Sequence, residues 1–174
     1  MAKMRRSRAY RRIERPYTRI SKFKKKSFIR ITPPRKVVRF NMGEEKKRNY
    51  SLDLVSKKSV QIRQEAIESA RQTSLRWLEK NIATDFFFRI VRYPYHILRE
   101  NPLASGAGAD RVSTGMKLSF GKPIGVALQL KEGERLFSVS VNEQGVDIAR
   151  KALQRAIKKL PCSFTIAVNR NKTE

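Results

Sequence analysis

A chain of 174 residues with 40 Lys and Arg against 15 Asp and Glu carries a formal net charge of +25. Such a field favours a polyanionic partner, either nucleic acid or an anionic membrane surface. No apolar run approaches the roughly 18 residues that a membrane span needs, and the basic N-terminus lacks the apolar core of a secretory signal. Cys162 is the one cysteine, which excludes an intrachain disulfide and a cysteine-based metal cluster and fits a reducing cytosol.

Residues 1–32 read as a basic arm. Residues 1–50 hold 19 Lys and Arg and 3 Glu, a net +16 that concentrates most of the charge in under a third of the chain. Arg5, Arg6, Arg8, Arg11, Arg12, Arg15, Arg19 and the run Lys24-Lys25-Lys26 are interleaved with Tyr10, Tyr17, Phe23 and Phe28. Arginine grips phosphate with two bonds, and aromatic rings stack on unpaired bases. Ile13, Ile20, Ile29 and Ile31 do not suit a purely solvated tail. The arm is therefore expected to order when a partner supplies counter-charge.

Residues 33–170 read as one domain. Pro33-Pro34 stiffens its entry, and residues 37–40 read as a short strand ended by Gly43. Residues 50–55 alternate as a second strand. From Ser59 to Asn81 the period lengthens, and Ile62, Ala66, Ala70, Thr73 and Trp77 make a helical stripe with Ser59 as N-cap. On that stripe Trp77 is expected as a core anchor rather than a base platform. Residues 86–93 are aromatic and β-branched and read as a strand buried on both faces. After Pro94 a strand resumes over residues 95–99. His96, the single histidine, lacks a second His or a Cys nearby, so it is expected to be packed or RNA-facing rather than catalytic or metal-binding.

Residues 101–115 then read as a long loop. Pro102 removes a backbone donor, and Gly106, Gly108 and Gly115 permit unusual backbone angles. Asp110 and Arg111 are its only charges, so the loop is neutral in a strongly basic molecule. Its backbone and small side chains, such as Ser105, suit entry into a tight place rather than phosphate clamping. Loops of this length inside a compact domain are usually functional or disordered.

Residues 124–130 follow as a strand, with 136–141 as its hairpin partner across a turn at 132–134. The clearest helix spans residues 144–160, with Val146, Ala149, Leu153, Ala156, Ile157 and Leu160 on its apolar stripe. Arg150, Lys151, Arg155, Lys158 and Lys159 crowd the other side, where solvation and RNA contact are equally served; Arg155 and Lys159 are taken as RNA-facing. Pro161 ends the helix and residues 164–168 form a last strand. Strands and helices mix without a strict βαβ repeat, so the class is α+β.

Reaction machinery is not visible. Gly106-x-Gly108 lacks the third glycine and the following helix of a dinucleotide loop, and Gly121-Lys122-Pro123 is not a Walker A end. Glu143 and Asp147 suit the positive end of a helix without catalysis.

Residues 91–99 (Val-Arg-Tyr-Pro-Tyr-His-Ile-Leu-Arg), Gly106-Ala107-Gly108-Ala109-Asp110-Arg111, Gly115-Met116 and Phe120-Gly121-Lys122-Pro123 resemble, in that order, the large-ribosomal-subunit protein family called ten-e in archaea and eukaryotes and sixteen in bacteria. The resemblance runs from about Val37 to Val168 and points to an archaeal version. It implies a structural protein rather than an enzyme, with an α/β-hammerhead type of domain, a mixed, largely antiparallel sheet and two helices. It implies binding to large-subunit rRNA near the 5S rRNA region, with the N-terminal arm penetrating rRNA. The loop, with Ser105, Gly106, Gly108, Asp110, Arg111 and Gly115, would point toward the peptidyl transferase centre and support tRNA placement. Other ribosomal proteins are the remaining partners, in cytoplasmic 50S particles; no membrane, cofactor, metal or homo-oligomer is expected. Two rivals stay open: an RNA-modifying or nucleolytic enzyme using Glu100 or Asp110 as general base, and a duplex DNA binder.

Overall fold

Eight strands and three helices make up a computed structural model that describes residues 4–18, 25, 29, 31–102, 104, 106–113, 115, 116 and 119–171. In chain order they are β1 (Asn41–Gly43), β2 (Tyr50–Ser56), β3 (Val60–Arg63), α1 (Gln64–Ile82), β4 (Phe86–Ile90), β5 (His96–Glu100), α2 (Ala109–Val112), β6 (Lys122–Leu130), β7 (Arg135–Val141), α3 (Val146–Ile157) and β8 (Phe164–Arg170). The class is α+β. Two sheets form instead of one: a five-stranded sheet ordered β1-β4-β7-β2-β8 and a three-stranded sheet ordered β3-β6-β5, with every pairing antiparallel.

Alternation along the strands decides which side chains enter the main core. Leu52, Leu54, Phe88, Ile90, Phe137 and Val139 put one face of the large sheet into the core, against Ala149, Ala152 and Leu153 of α3 and Ile67, Ala70 and Leu78 of α1. The opposite face carries Ser51 and Asp53, paired in register with Ser140 and Ser138. The small sheet sends Val60, Ile62, Leu128 and Leu130 into the same core. Its alternate positions, Gln61, Gln129 and His96, are buried although polar. The helices touch directly: Ser74 Oγ donates to the Ala152 carbonyl at 3.2 Å.

Several expectations are corrected. Residues 37–40 are not a strand; pairing starts at Asn41, with one further bond from Ile90 N–H to the Phe40 carbonyl (2.8 Å). The helix expected from Ser59 begins at Gln64, because Val60–Arg63 pair with residues 127–130. Ser59 Oγ accepts from Glu132 N–H (3.1 Å) and caps nothing. The buried face of α1 is Ile67, Ala70, Arg71, Ser74 and Leu78, rotated from the expected stripe. Trp77 is therefore half-buried at the edge of the core. The strand at 86 stops at Ile90, and its burial alternates instead of closing both faces. β6 and β7 are not a hairpin. Ser56 at the end of β2 takes the bonds between them, accepting from Gly133 N–H (2.9 Å) and donating to the Glu134 carbonyl (3.0 Å). The chain therefore passes from one sheet to the other at that turn.

Candidate nucleic-acid interface

Residues 4–18 form a strap across the small sheet. At the free edge of β3 the Arg11 carbonyl accepts from Gln61 N–H (3.0 Å), and the Tyr10 carbonyl accepts from Gln61 Nε2 (2.8 Å). Over the middle strand the Glu14 carbonyl accepts from Gln129 Nε2 (2.7 Å). At β5 the Tyr17 N–H donates to His96 Nδ1 (2.8 Å), and the Tyr17 carbonyl accepts from Ile97 N–H on the strand's free edge (3.0 Å). The buried glutamines and the histidine thus satisfy a main chain that would otherwise lose its water. Burial lowers the His96 pKa from its ordinary 6.5; Glu14 opposes that fall and Arg99 adds to it. The neutral ring then accepts at Nδ1. For this segment the domain itself supplies main-chain bonds, beside whatever counter-charge a partner brings.

With its main chain held inward, the strap leaves Arg6, Arg8, Arg11, Arg12 and Arg15 exposed. Arg5 and Tyr10 are used differently. Glu100 Oε1 accepts from Arg5 Nε (2.8 Å) and from the Tyr10 hydroxyl (2.7 Å). Burial raises the Tyr10 pKa, so it remains a donor. Glu100 is thereby engaged as a structural acceptor, not left as a general base. Beside it, Arg5, Arg12, Arg15 and Arg99 converge on one cavity of about 170 Å³. The Arg99 guanidinium carbon lies 4.2 Å from the Tyr17 ring centre and 3.7 Å from that of Phe120.

A second basic surface runs along the helices. Arg11, Arg63, Lys158 and Lys159 line a groove between the strap, the start of α1 and the end of α3, with Glu65 its one carboxylate among the described residues. Ser69 is shared with a neighbouring groove lined by Arg76, Trp77, Lys80 and Arg155. The structure thus brings Arg11 of the strap to Lys159 and puts Arg155 in the next groove. Arg155 stacks over Trp77 at 3.6 Å, a contact worth about 0.5–1 kcal/mol at exposed sites.

The loop is more organised than its composition suggests. Gly106, Gly108 and Gly115 all have positive φ, and the four-residue α2 follows Gly108, where no helix was expected. Ala104 N–H donates to Ser113 Oγ (3.0 Å) and Asn101 Nδ2 to the Gly115 carbonyl (3.4 Å), so the neck is bonded across. Asp110 and Arg111 are exposed. At the root, Gly121 has φ +81°, and a Cβ there would stand 2.7 Å from the Glu100 carbonyl carbon. Only glycine lets β6 begin so close to the end of β5.

Arg19, Lys24, Lys26 and Ser105 lie outside the described residues, and Lys25 is exposed. Sequence reasoning missed Arg63, Arg76, Lys80 and Arg99 as members of these surfaces. Gln61, Gln129 and His96 carried one usable signal, polar side chains within apolar strands.

The family model for ribosomal protein L16p/L10e matches residues 15–167. Large ribosomal subunit protein uL16 of Methanococcus maripaludis is 40% identical, covering 97% of this chain and 96% of that protein. The proteins of the same name from Archaeoglobus fulgidus (40%) and Nanoarchaeum equitans (43%) each cover 94% of this chain and 92% of their own length. These relatives are archaeal and are ribosomal proteins, not enzymes. Matched across most of its length by both comparisons, the chain belongs to the ribosomal protein L16p/L10e family.

Proposed function

We propose that this chain is a structural constituent of the large ribosomal subunit in the cytoplasm. It binds large-subunit rRNA through the strap and the α1–α3 grooves, and it supports tRNA placement through the loop at residues 101–115. The observation that carries this reading is the assembly of Arg11, Arg63, Lys158 and Lys159, from three separate places in the chain, onto one groove. A solvated surface gains nothing from collecting like charges, which repel; a phosphate backbone neutralises them. The neutral loop, bonded across its neck, supports the second part: it is an independent projection with no phosphate clamp. Its proposed neighbours are tRNA, 5S rRNA and other ribosomal proteins, met by a single copy of the chain.

Co-sedimentation with 50S particles tests this reading. The protein should pellet with the particles in high salt and should be absent from particles reconstituted without it. On isolated rRNA, each phosphate contact removed should flatten the salt dependence of log K by about 0.7–0.9. Recovery of all the protein in the supernatant would overturn the assignment. Metal-dependent cleavage of RNA by the purified chain would favour the rival enzyme.

A further inference from the structure

The two grooves along the helices differ in one respect. The groove of Arg11, Arg63, Lys158 and Lys159 has no aromatic lining among the described residues, as expected of a surface that follows phosphates. The neighbouring one contains Trp77, the only tryptophan in the chain. Arg76, Lys80 and Arg155 supply its cations, and no carboxylate lines it among the described residues. The Arg155 guanidinium carbon sits 3.6 Å from the Trp77 ring centre, and the indole N–H has no partner among the described residues. Packing and Arg155 alone therefore hold the ring at the groove. The space, about 380 Å³, falls within the range of about 300–1,000 Å³ typical of ligand sites.

A groove meant only for phosphate needs cations and no π surface. Aromatic rings and arginine planes together are what unpaired bases stack on. A duplex hides its base faces and offers only backbone at such a place. We propose that this groove takes one unpaired nucleotide of RNA, its base stacked on the Arg155–Trp77 pair and its phosphate held by Arg76 and Lys80. The proposal rests on the rRNA-binding reading above and names what one surface of it recognises. Stacking tolerates any base, so the site selects for strandedness rather than sequence. The shared Ser69 makes the two grooves continuous, and the strand's next phosphates follow the cations toward Lys159 and Arg11.

Because Trp77 is unique, its fluorescence reports this groove alone. The full chain is titrated with a short single-stranded RNA, a duplex of equal length and inorganic polyphosphate. All three should bind through charge, but only the single strand should quench most of the Trp77 emission. Arg155→Ala should weaken single-strand binding about 5–100-fold, and Arg155→Lys, which keeps the charge, should weaken it nearly as much. Duplex affinity should change less than about threefold in either variant, as for loss of one phosphate contact. Arg155 is exposed, so both variants should still unfold in one cooperative transition, with only the small loss of the Trp77 contact, as the check on folding. Equal quenching by duplex or polyphosphate would overturn the proposal, since charge alone would then explain it. So would full single-strand affinity in Arg155→Lys, or quenching by an acidic peptide in place of RNA. Tight RNA binding with unquenched Trp77 sinks the stacking site and leaves the rRNA-binding reading standing. Failure to bind any RNA removes that reading as well.

Discussion

The Tyr10 hydroxyl donates to Glu100 Oε1 at 2.7 Å while accepting from the Arg5 N–H at 2.9 Å. One phenol thereby ties the strap to the residue from which the loop departs. Tyr10→Phe keeps the ring against Leu98 and Ala127 but removes both bonds. It should cost about 1–2 kcal/mol in urea unfolding, for one charge-assisted and one neutral bond. An unchanged midpoint would mean that the strap is not held there in solution.

His96 predicts a pH dependence. Protonated at Nδ1, it could not accept from Tyr17, so the folded chain binds that proton more weakly than the unfolded chain. The stability it contributes is fully present above the ordinary value of 6.5, falls as pH drops from there through the lowered folded pKa, and levels off below it. Thermal melting between pH 8 and pH 5 should show this decline. His96→Phe should melt lower at neutral pH and lose that part of the slope. A wild-type curve flat across the window would contradict the neutral acceptor.

The loop should be dispensable for folding. A short Gly-Ser link in place of residues 105–114 removes α2 and the Ala104–Ser113 bond but leaves both sheets and the core intact. Melting should shift by no more than about 0.5 kcal/mol, and incorporation into 50S particles should persist. Peptide transfer or aminoacyl-tRNA accommodation should slow on those ribosomes, with Arg111→Ala giving part of the defect. Wild-type rates with the short link would reduce the loop to a spacer.

The buried side of α3 and the basic turn after it should separate stability from binding. Leu153 is fully buried, so Leu153→Ala should cost about 2–5 kcal/mol. Lys159 is exposed, and Lys159→Ala should leave the melting temperature nearly unchanged while weakening rRNA binding and its salt dependence. Equal thermal loss from both would overturn that separation.

Apolar alternation in β2 and the helical stripe of α3 made those elements legible, and Pro94 and Pro102 bracketed the strand before the loop. Periodicity failed where two elements abut. Val60-Gln61-Ile62-Arg63 runs straight into α1, and four alternating residues cannot be told from a helix start until their partner strand is known. It failed again at residues 131–134, where a good turn separates strands that join different sheets. Arginines and lysines marked the basic surfaces by composition, yet the meeting of Arg11 with Lys159 depends on the strap's path. That path is set by Gln61, Gln129 and His96, whose role appears only when a distant main chain lies over them. Trp77 fell on an expected stripe that proved rotated, which put it at the edge of the core and on a groove wall.

The strap also imposes an order on synthesis. It leaves the exit tunnel ahead of the sheet it crosses, since Gln129, which holds its middle, is made more than a hundred residues later. At roughly 5–20 residues per second, the arm waits on the order of ten seconds for the strands that hold it. During that interval its arginines face whatever polyanion is nearest, and neither edge of the small sheet has yet been closed. Nascent chains stalled before Val126 emerges should be cut by trypsin between residues 4 and 18. Chains stalled after β6 has cleared the tunnel should resist there, and equal cutting at both lengths would mean that the strap closes only after release.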